Sequence, residues 1–287
     1  MRKTGQRRIS AAVATAMTAI GVAGLSAFAS PAMAAPVHGP RPFAQAFSKT
    51  VGQKSSDVSL VIDEKVAGQD IKITASGAFD YAHNLGSLKM NIGLGTGGES
   101  FQEIVAKGKA YLQLPPVEQA AFGGKPWLAV PIGSSTGLSG ESPTSALELL
   151  QANATGVKKL GSAVVQGVAT TEYQANIDPT KAMAKASPQV RKVLRQALSM
   201  FSGAHSLPIQ VWIDGADRIR QMKETFNLTP TAGSALASTG QLSVVTTVVL
   251  SNYGVPVSVT VPPADQVSHQ SLSSLGAAAG AGTSSTS

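Results

Sequence analysis

Cysteine is absent from all 287 residues, and that absence removes disulfides, thiolate nucleophiles and Cys-ligated metals at once. It also leaves no residue to carry the lipid of a bacterial lipoprotein, so the sequence reads as a protein without a covalent lipid anchor and a fold held by its core alone. Aromatic residues are scarce, at 5%, too few for the base-stacking platforms of single-strand nucleic-acid binders. Histidine is scarcer still: His38, His83, His205 and His269 lie far apart, without H-E-x-x-H or any other short ligand spacing. Neither a metal, a cofactor nor a nucleic-acid partner is expected. Charge of one sign is not blocked anywhere. The formal net charge of +7 includes Arg2, Lys3, Arg7 and Arg8, so about +3 belongs to the rest of the chain.

Those four basic residues open a segment of a different kind. Ile9 to Ala29 is uncharged and apolar, and Ala32-Met33-Ala34 supplies a small-x-small cleavage pattern. The combination predicts a secretion signal over residues 1–34, with Ala35 first in the exported chain and a secreted or cell-envelope location. The Arg7-Arg8 pair leaves the general and twin-arginine routes both open. Residues 35–42 contain Pro36, Pro40 and Pro42 and read as an extended lead-in, while residues 268–287 are nearly all Ser, Ala, Gly and Thr and cannot bury enough to fold. One domain is expected between them, over 43–267.

Within it, period-two alternation dominates: Val58, Leu60, Ile62; Ile71, Ile73, Ala75, Phe79; Leu88, Met90, Ile92, with polar residues between. Further strands are expected around Ala110 to Leu114 after a Lys107-Gly108 turn, and over 127–130, 172–177, 209–214, 218–228, 241–251 and 255–261. Asp214-Gly215 and Asn252-Tyr253-Gly254 read as hairpin turns, with glycine taking positive φ. Helical spacing appears over 143–153 and again from Ser187-Pro188 through Val190, Val193, Leu194, Ala197, Leu198 and Phe201. A third helix covers 43–51. Roughly ten strands with two or three inserted helices predict an α+β fold: a strongly curved antiparallel sheet, an incomplete barrel, wrapping the helices.

Motifs with catalytic overtones lack their context. Gly133-Ser134-Ser135-Thr136-Gly137 matches G-x-S-x-G, the weak case for a serine hydrolase, but a second loop follows it instead of a helix. Gly93-x-Gly95-x-x-Gly98 matches the dinucleotide pattern but lies between strands of a meander, which makes it a hairpin loop. Asp214 and Asp217 are a fragment of a calcium loop without its closing Glu. Met90, Met183, Met200 and Met222 suit either core filling or an irregular apolar ligand.

Three stretches carry a resemblance to a known family: Ala106-Lys107-Gly108-Lys109-Ala110-Tyr111-Leu112; Leu207 to Asp214 with Arg218-Ile219-Arg220-Gln221-Met222; and Tyr253-Gly254-Val255-Pro256-Val257 with Pro262 to Val267. In these the sequence resembles the exported lipid carriers of actinobacteria typified by LppX and LprG, which share the LolA-like fold of the lipoprotein carriers. The resemblance implies a half-barrel with an apolar cavity for acyl chains, no enzymatic activity, and a lipid or glycolipid as partner, with transient contact to a membrane or an envelope protein. It departs from the family in lacking the lipid-bearing cysteine. On this reading Ile71, Ile73, Leu88, Met90, Leu112, Val211, Ile213, Val244 and Val248, with Val193, Leu194 and Leu198 of the helix, line the cavity, their facing assigned by alternation. The competing class is an envelope interaction or regulatory module in which the same sheet packs solid.

Overall fold

The computed structural model describes residues 41–66, 68–94, 97–131, 154–178, 195, 199, 201–202, 206–232, 237 and 240–270. The first described element is a helix, α1 (Arg41–Val51). It starts inside the segment expected to be an extended lead-in. Pro42 sits in its first turn, where a missing N–H costs no hydrogen bond.

A meander follows: β1 (Ser55–Val66), β2 (Gln69–Asp80), β3 (Leu85–Leu94), β4 (Gly97–Ala106), β5 (Lys109–Gln113) and β6 (Trp127–Pro131), with a one-turn helix α2 (Pro116–Gln119) before β6. The second half contributes β7 (Ala154–Val165), β8 (Val168–Ile177), the two-residue β9 (Phe201–Ser202), β10 (Leu207–Asp214), β11 (Ile219–Pro230), β12 (Leu242–Ser251) and β13 (Val267–Ser268). Their order is β13-β6-β5-β4-β3-β2-β1-β12-β11-β10-β8-β7, with β9 pairing β11 off that path. The result is one large, curved, unclosed sheet, antiparallel except where β13 runs parallel to β6.

Turn chemistry explains the hairpins. Lys107 and Gly108, at φ 53° and 70°, form the two-residue turn between β4 and β5, and Gln166-Gly167 does the same between β7 and β8. The β10–β11 turn works differently from expectation: Asp217, not Gly215, takes the positive φ of 60°. The Asp214 carboxylate holds that turn by accepting from the backbone N–H groups of Ala216 and Arg218, each at 2.9 Å.

Other expectations are corrected. Of the expected helices, α1 is described along its length; the one expected over 143–153 lies outside the described residues, and of the run from 187 only Arg195 and Ser199 are described, both helical. Phe201, assigned to that helical stripe, instead begins β9 and pairs with Pro230. β7 was not anticipated. Its register slips at Thr155/Lys158 and Lys159/Gly161, and bulges of this kind erase the alternation that betrays a strand. Residues 255–261 alternate in burial as a strand should, yet they belong to no ladder. They form an extended strap over the outer face of the sheet, where Val259 and Val261 pack on Ile104, Tyr111, Ala129 and Trp127. The Gly93 to Gly98 stretch joins β3 to β4 as a hairpin, Gly93 facing Gly98.

Candidate functional site: the inner face of the sheet

Antiparallel register places one side chain of every second residue in line across neighbouring strands. On the inner face the central row runs Tyr173, Val211, Met222, Val248, Leu60, Ala75, Met90, Phe101, crossing eight strands without a polar interruption from Val211 to Phe101. Phe43 and Ala46 of α1 are fully buried in the same core, and Phe43 meets Tyr173 edge to face, with ring centroids 6.1 Å apart. This inner surface is lined by β-branched and long aliphatic side chains because the inward parity of each strand carries them. The row next to it leads through Leu250, Val58, Gly77, Leu88, Glu103, Leu112 and Leu128.

Of the residues expected to line a cavity, those that are described lie on this face. Ile71, Ile73, Met90, Val211, Ile213 and Val244 are buried in the main core, and Leu88 and Val248 pack against it while remaining partly exposed. Leu112 belongs to a neighbouring cluster with Leu114, Phe122, Leu128 and Val130. Val193, Leu194 and Leu198 lie outside the described residues, as do Ser135 and the loop around it, His38, His205, Met183 and Met200. Leu60, Phe101 and Tyr173 are likewise only partly buried, so the central row is incompletely covered at the adjacent Val248 and Leu60 and at its two ends, whereas Val211, Met222, Ala75 and Met90 are buried.

Polar groups on this face were not anticipated. Glu64 continues the inward parity of Val58, Leu60 and Ile62, is 2% exposed, and neither of its carboxylate oxygens has a hydrogen-bond partner. Burial pushes its carboxyl up to about 7. Thr246, diagonal to it on β12, also has a buried hydroxyl without a partner. Glu224 stands directly opposite Thr246 on β11, and Glu103 is buried one row beyond the centre on the other side. The sequence signal for Glu64 was its parity: a carboxylate in the register of three apolar residues.

The carboxylate of Asp214, by contrast, is well supplied with partners. Burial alone would raise the Asp214 carboxyl, but the N–H of Arg218, the guanidinium groups of Arg220 and Arg218 and the N–H of Ala216 together outweigh it and hold it below the usual range. Its Oδ2 lies 2.7 Å from Arg220 Nε and 3.0 Å from Arg218 Nε. Both guanidinium groups lie over the Tyr253 ring, 5.0 and 4.8 Å from its centroid. A carboxylate so occupied is a turn brace and has no capacity left for a cation. His83 Nδ1 is 2.8 Å from Asp80 Oδ2 in an exposed turn, and His269 is exposed. Under the strap, a groove of about 390 Å³ is lined by Ser87, Gln102, Ile104, Trp127 and the strap itself, and Gln102 donates to Ser87 at 2.9 Å.

An unclosed, curved sheet, antiparallel but for one short edge pair and apolar on its inner face, defines the class: a half-barrel. Among solved structures the chain is similar to the lipoprotein LppX of Mycobacterium tuberculosis, at 16% identity over 77% of this chain and 97% of that one, with a TM-score of 0.44. It is also similar to LprF of Mycobacterium bovis, at 16% identity over 78% and 99%, TM-score 0.39. A LolA superfamily protein of Nitrosomonas europaea follows at 10% identity over 74% and 93%, TM-score 0.29. No protein-family model matches the chain, and no curated protein matches it in sequence.

Proposed function

We propose that this protein is an exported, non-enzymatic carrier that holds the acyl chains of a lipid or glycolipid against the inner face of its half-barrel. The observation that supports this most directly is the central row: apolar from Val211 to Phe101, yet with Leu60, Val248 and Phe101 incompletely covered. A hydrocarbon chain laid along that row would cover what remains open at Val248, Leu60 and Phe101. Ile71, Ile73, Met90, Val211, Ile213 and Val244 then form the wall, and Leu88 and Val248 the surface that meets the ligand. Leu112, with Val193, Leu194 and Leu198, completes the lining.

Energetically such a carrier works by near balance. At about 0.8 kcal/mol per buried CH₂, a chain of roughly 16 carbons is worth on the order of 12 kcal/mol, close to what the bilayer gave it. Exchange between membrane and protein is then nearly neutral, and the cargo is released as readily as it is taken up.

Native mass spectrometry of the protein purified from an actinobacterial host, followed by organic extraction, tests this. Lipid in stoichiometric amount is expected, and Val248→Asp or Leu194→Asp should lose it while still folding. A clean protein mass with no uptake on mixing with lipids would transfer the assignment to a solid-core interaction module.

A further inference from the structure

The inner face is apolar along its central row and polar beside it, at Glu103 on one side and at Thr246, Glu224 and Glu64 on the other. Glu64 and Thr246 are diagonal neighbours across β1 and β12, since Glu64 faces Val244 and Thr246 faces Ile62. Diagonal positions on one face lie about 7 Å apart, close enough for one small group to touch both. Among the described residues, their three side-chain oxygens are buried without hydrogen-bond partners. Around them stand Ile62, Ile71, Ile73 and Val244, all buried, which offer no hydrogen bonds, and the buried Glu224, directly opposite Thr246 on β11. A desolvated carboxyl and a desolvated hydroxyl, diagonal neighbours on one face and both without a hydrogen-bond partner, form half of a recognition site.

We propose that Glu64 and Thr246 form a hydroxyl-recognition point in the lipid-binding wall, taking a hydroxyl group of the ligand's glycerol, sugar or hydroxylated chain. This rests on the carrier reading and adds to it the polar chemistry of the cargo. A hydroxyl both donates and accepts, and so does a protonated carboxyl; with burial holding Glu64 up at about 7, a large share of molecules carry that proton near neutral pH. The side chain of Thr246 can complete the set by accepting from, or donating to, the same group. Glu64 lies four residues along β1 from Leu60 of the central row, about 13 Å at the rise of a strand. The site therefore selects an amphiphile whose hydroxyl stands off from the chain lying on that row.

Three ligands sharing one chain length separate the possibilities: 1-monopalmitoylglycerol, methyl palmitate and hexadecylamine, each delivered from cyclodextrin to the intact protein and measured by calorimetry. The wild-type protein is expected to bind the monoacylglycerol about tenfold more tightly than the methyl ester, the gain expected of one or two recovered hydrogen bonds. Glu64→Leu and Thr246→Val should each bring that ratio close to one. Glu64→Gln, which still donates and accepts, should keep most of the preference. Chain binding with no preference in the wild type, a preference untouched in Thr246→Val, or a preference for hexadecylamine would each overturn the hydroxyl site alone. Uptake of none of the three would overturn both it and the carrier reading.

Discussion

The hydroxyl of Thr50, wholly buried in the last turn of α1, accepts a hydrogen bond from the backbone N–H of Ile219 at 2.9 Å. That bond joins the helix to the first residue of β11, 169 positions away. Thr50→Val keeps the shape and removes the acceptor, leaving a buried N–H alone. A loss of about 1–3 kcal/mol in urea unfolding is expected, whereas Thr50→Ser should lose far less of it.

Glu64 makes stability depend on pH in an unusual direction. Its carboxyl moves from 4.5 to about 7 on folding, so the folded state holds the proton more tightly than the unfolded one. Stability is then greatest below about pH 4.5 as far as this group is concerned, and falls as pH rises to 7 and beyond. The full difference is on the order of 3 kcal/mol. Glu64→Gln should raise the melting temperature at pH 8 and change it little at pH 5; an equal rise at both would contradict the assignment.

Asp214 acts with the opposite sign. The groups that hold its carboxyl low contribute stability that is present above the ordinary aspartate value of 3.8 and lost as pH falls through the depressed one. Asp214→Asn should therefore destabilise at pH 7 and lose its effect at low pH. With two guanidinium groups left without their anion, a cost of about 3 kcal/mol at neutral pH is expected from chemical denaturation.

Gly77 of β2 lies directly against the backbone of β3. A Cβ there would stand 1.9 Å from the carbonyl oxygen of Ser87, a backbone atom that cannot swing aside. Gly77→Ala should cost about 1–3 kcal/mol or more by forcing the two strands apart. Gly215→Ala, which meets nothing within 4 Å and has no positive φ, serves as the control and should be nearly neutral.

How much could be read in the amino-acid order follows from what alternation encodes. Strands β1 to β3 show it without interruption, and Ile71, Ile73 and Met90 turn inward as the pattern requires. Alternation reports half-burial, though, and not hydrogen-bonded pairing, which is why Val255 to Val261 reads as a strand and is a strap. β7 fails in the other sense: it pairs with β8 along most of its length, but Gly156, Lys158, Lys159 and Gly161 fall where its bulges shift the parity. Glu64 was legible in parity and hidden by chemistry, since a glutamate near a strand end is ordinarily a solvated one. Its isolation appears only when β12, almost two hundred residues later, comes to lie beside it.

That distant pairing has a further consequence for how the chain reaches its folded form. β12 reads Leu-Ser-Val-Val-Thr-Thr-Val-Val-Leu-Ser, with no charge and no proline, and it lies in the middle of the sheet between β1 and β11. Synthesis delivers β1 early and its neighbour late, so the β1 edge waits open until nearly the whole chain is available. Contacts of such long range are slow to form, and an uncharged valine-rich segment left without its neighbours pairs readily with copies of itself. The interval between emergence of β12 and its capture by β1 and β11 is thus the chain's most vulnerable moment, and a lysine at the outward-facing Val245 would lengthen its survival there at little expense to the inner wall.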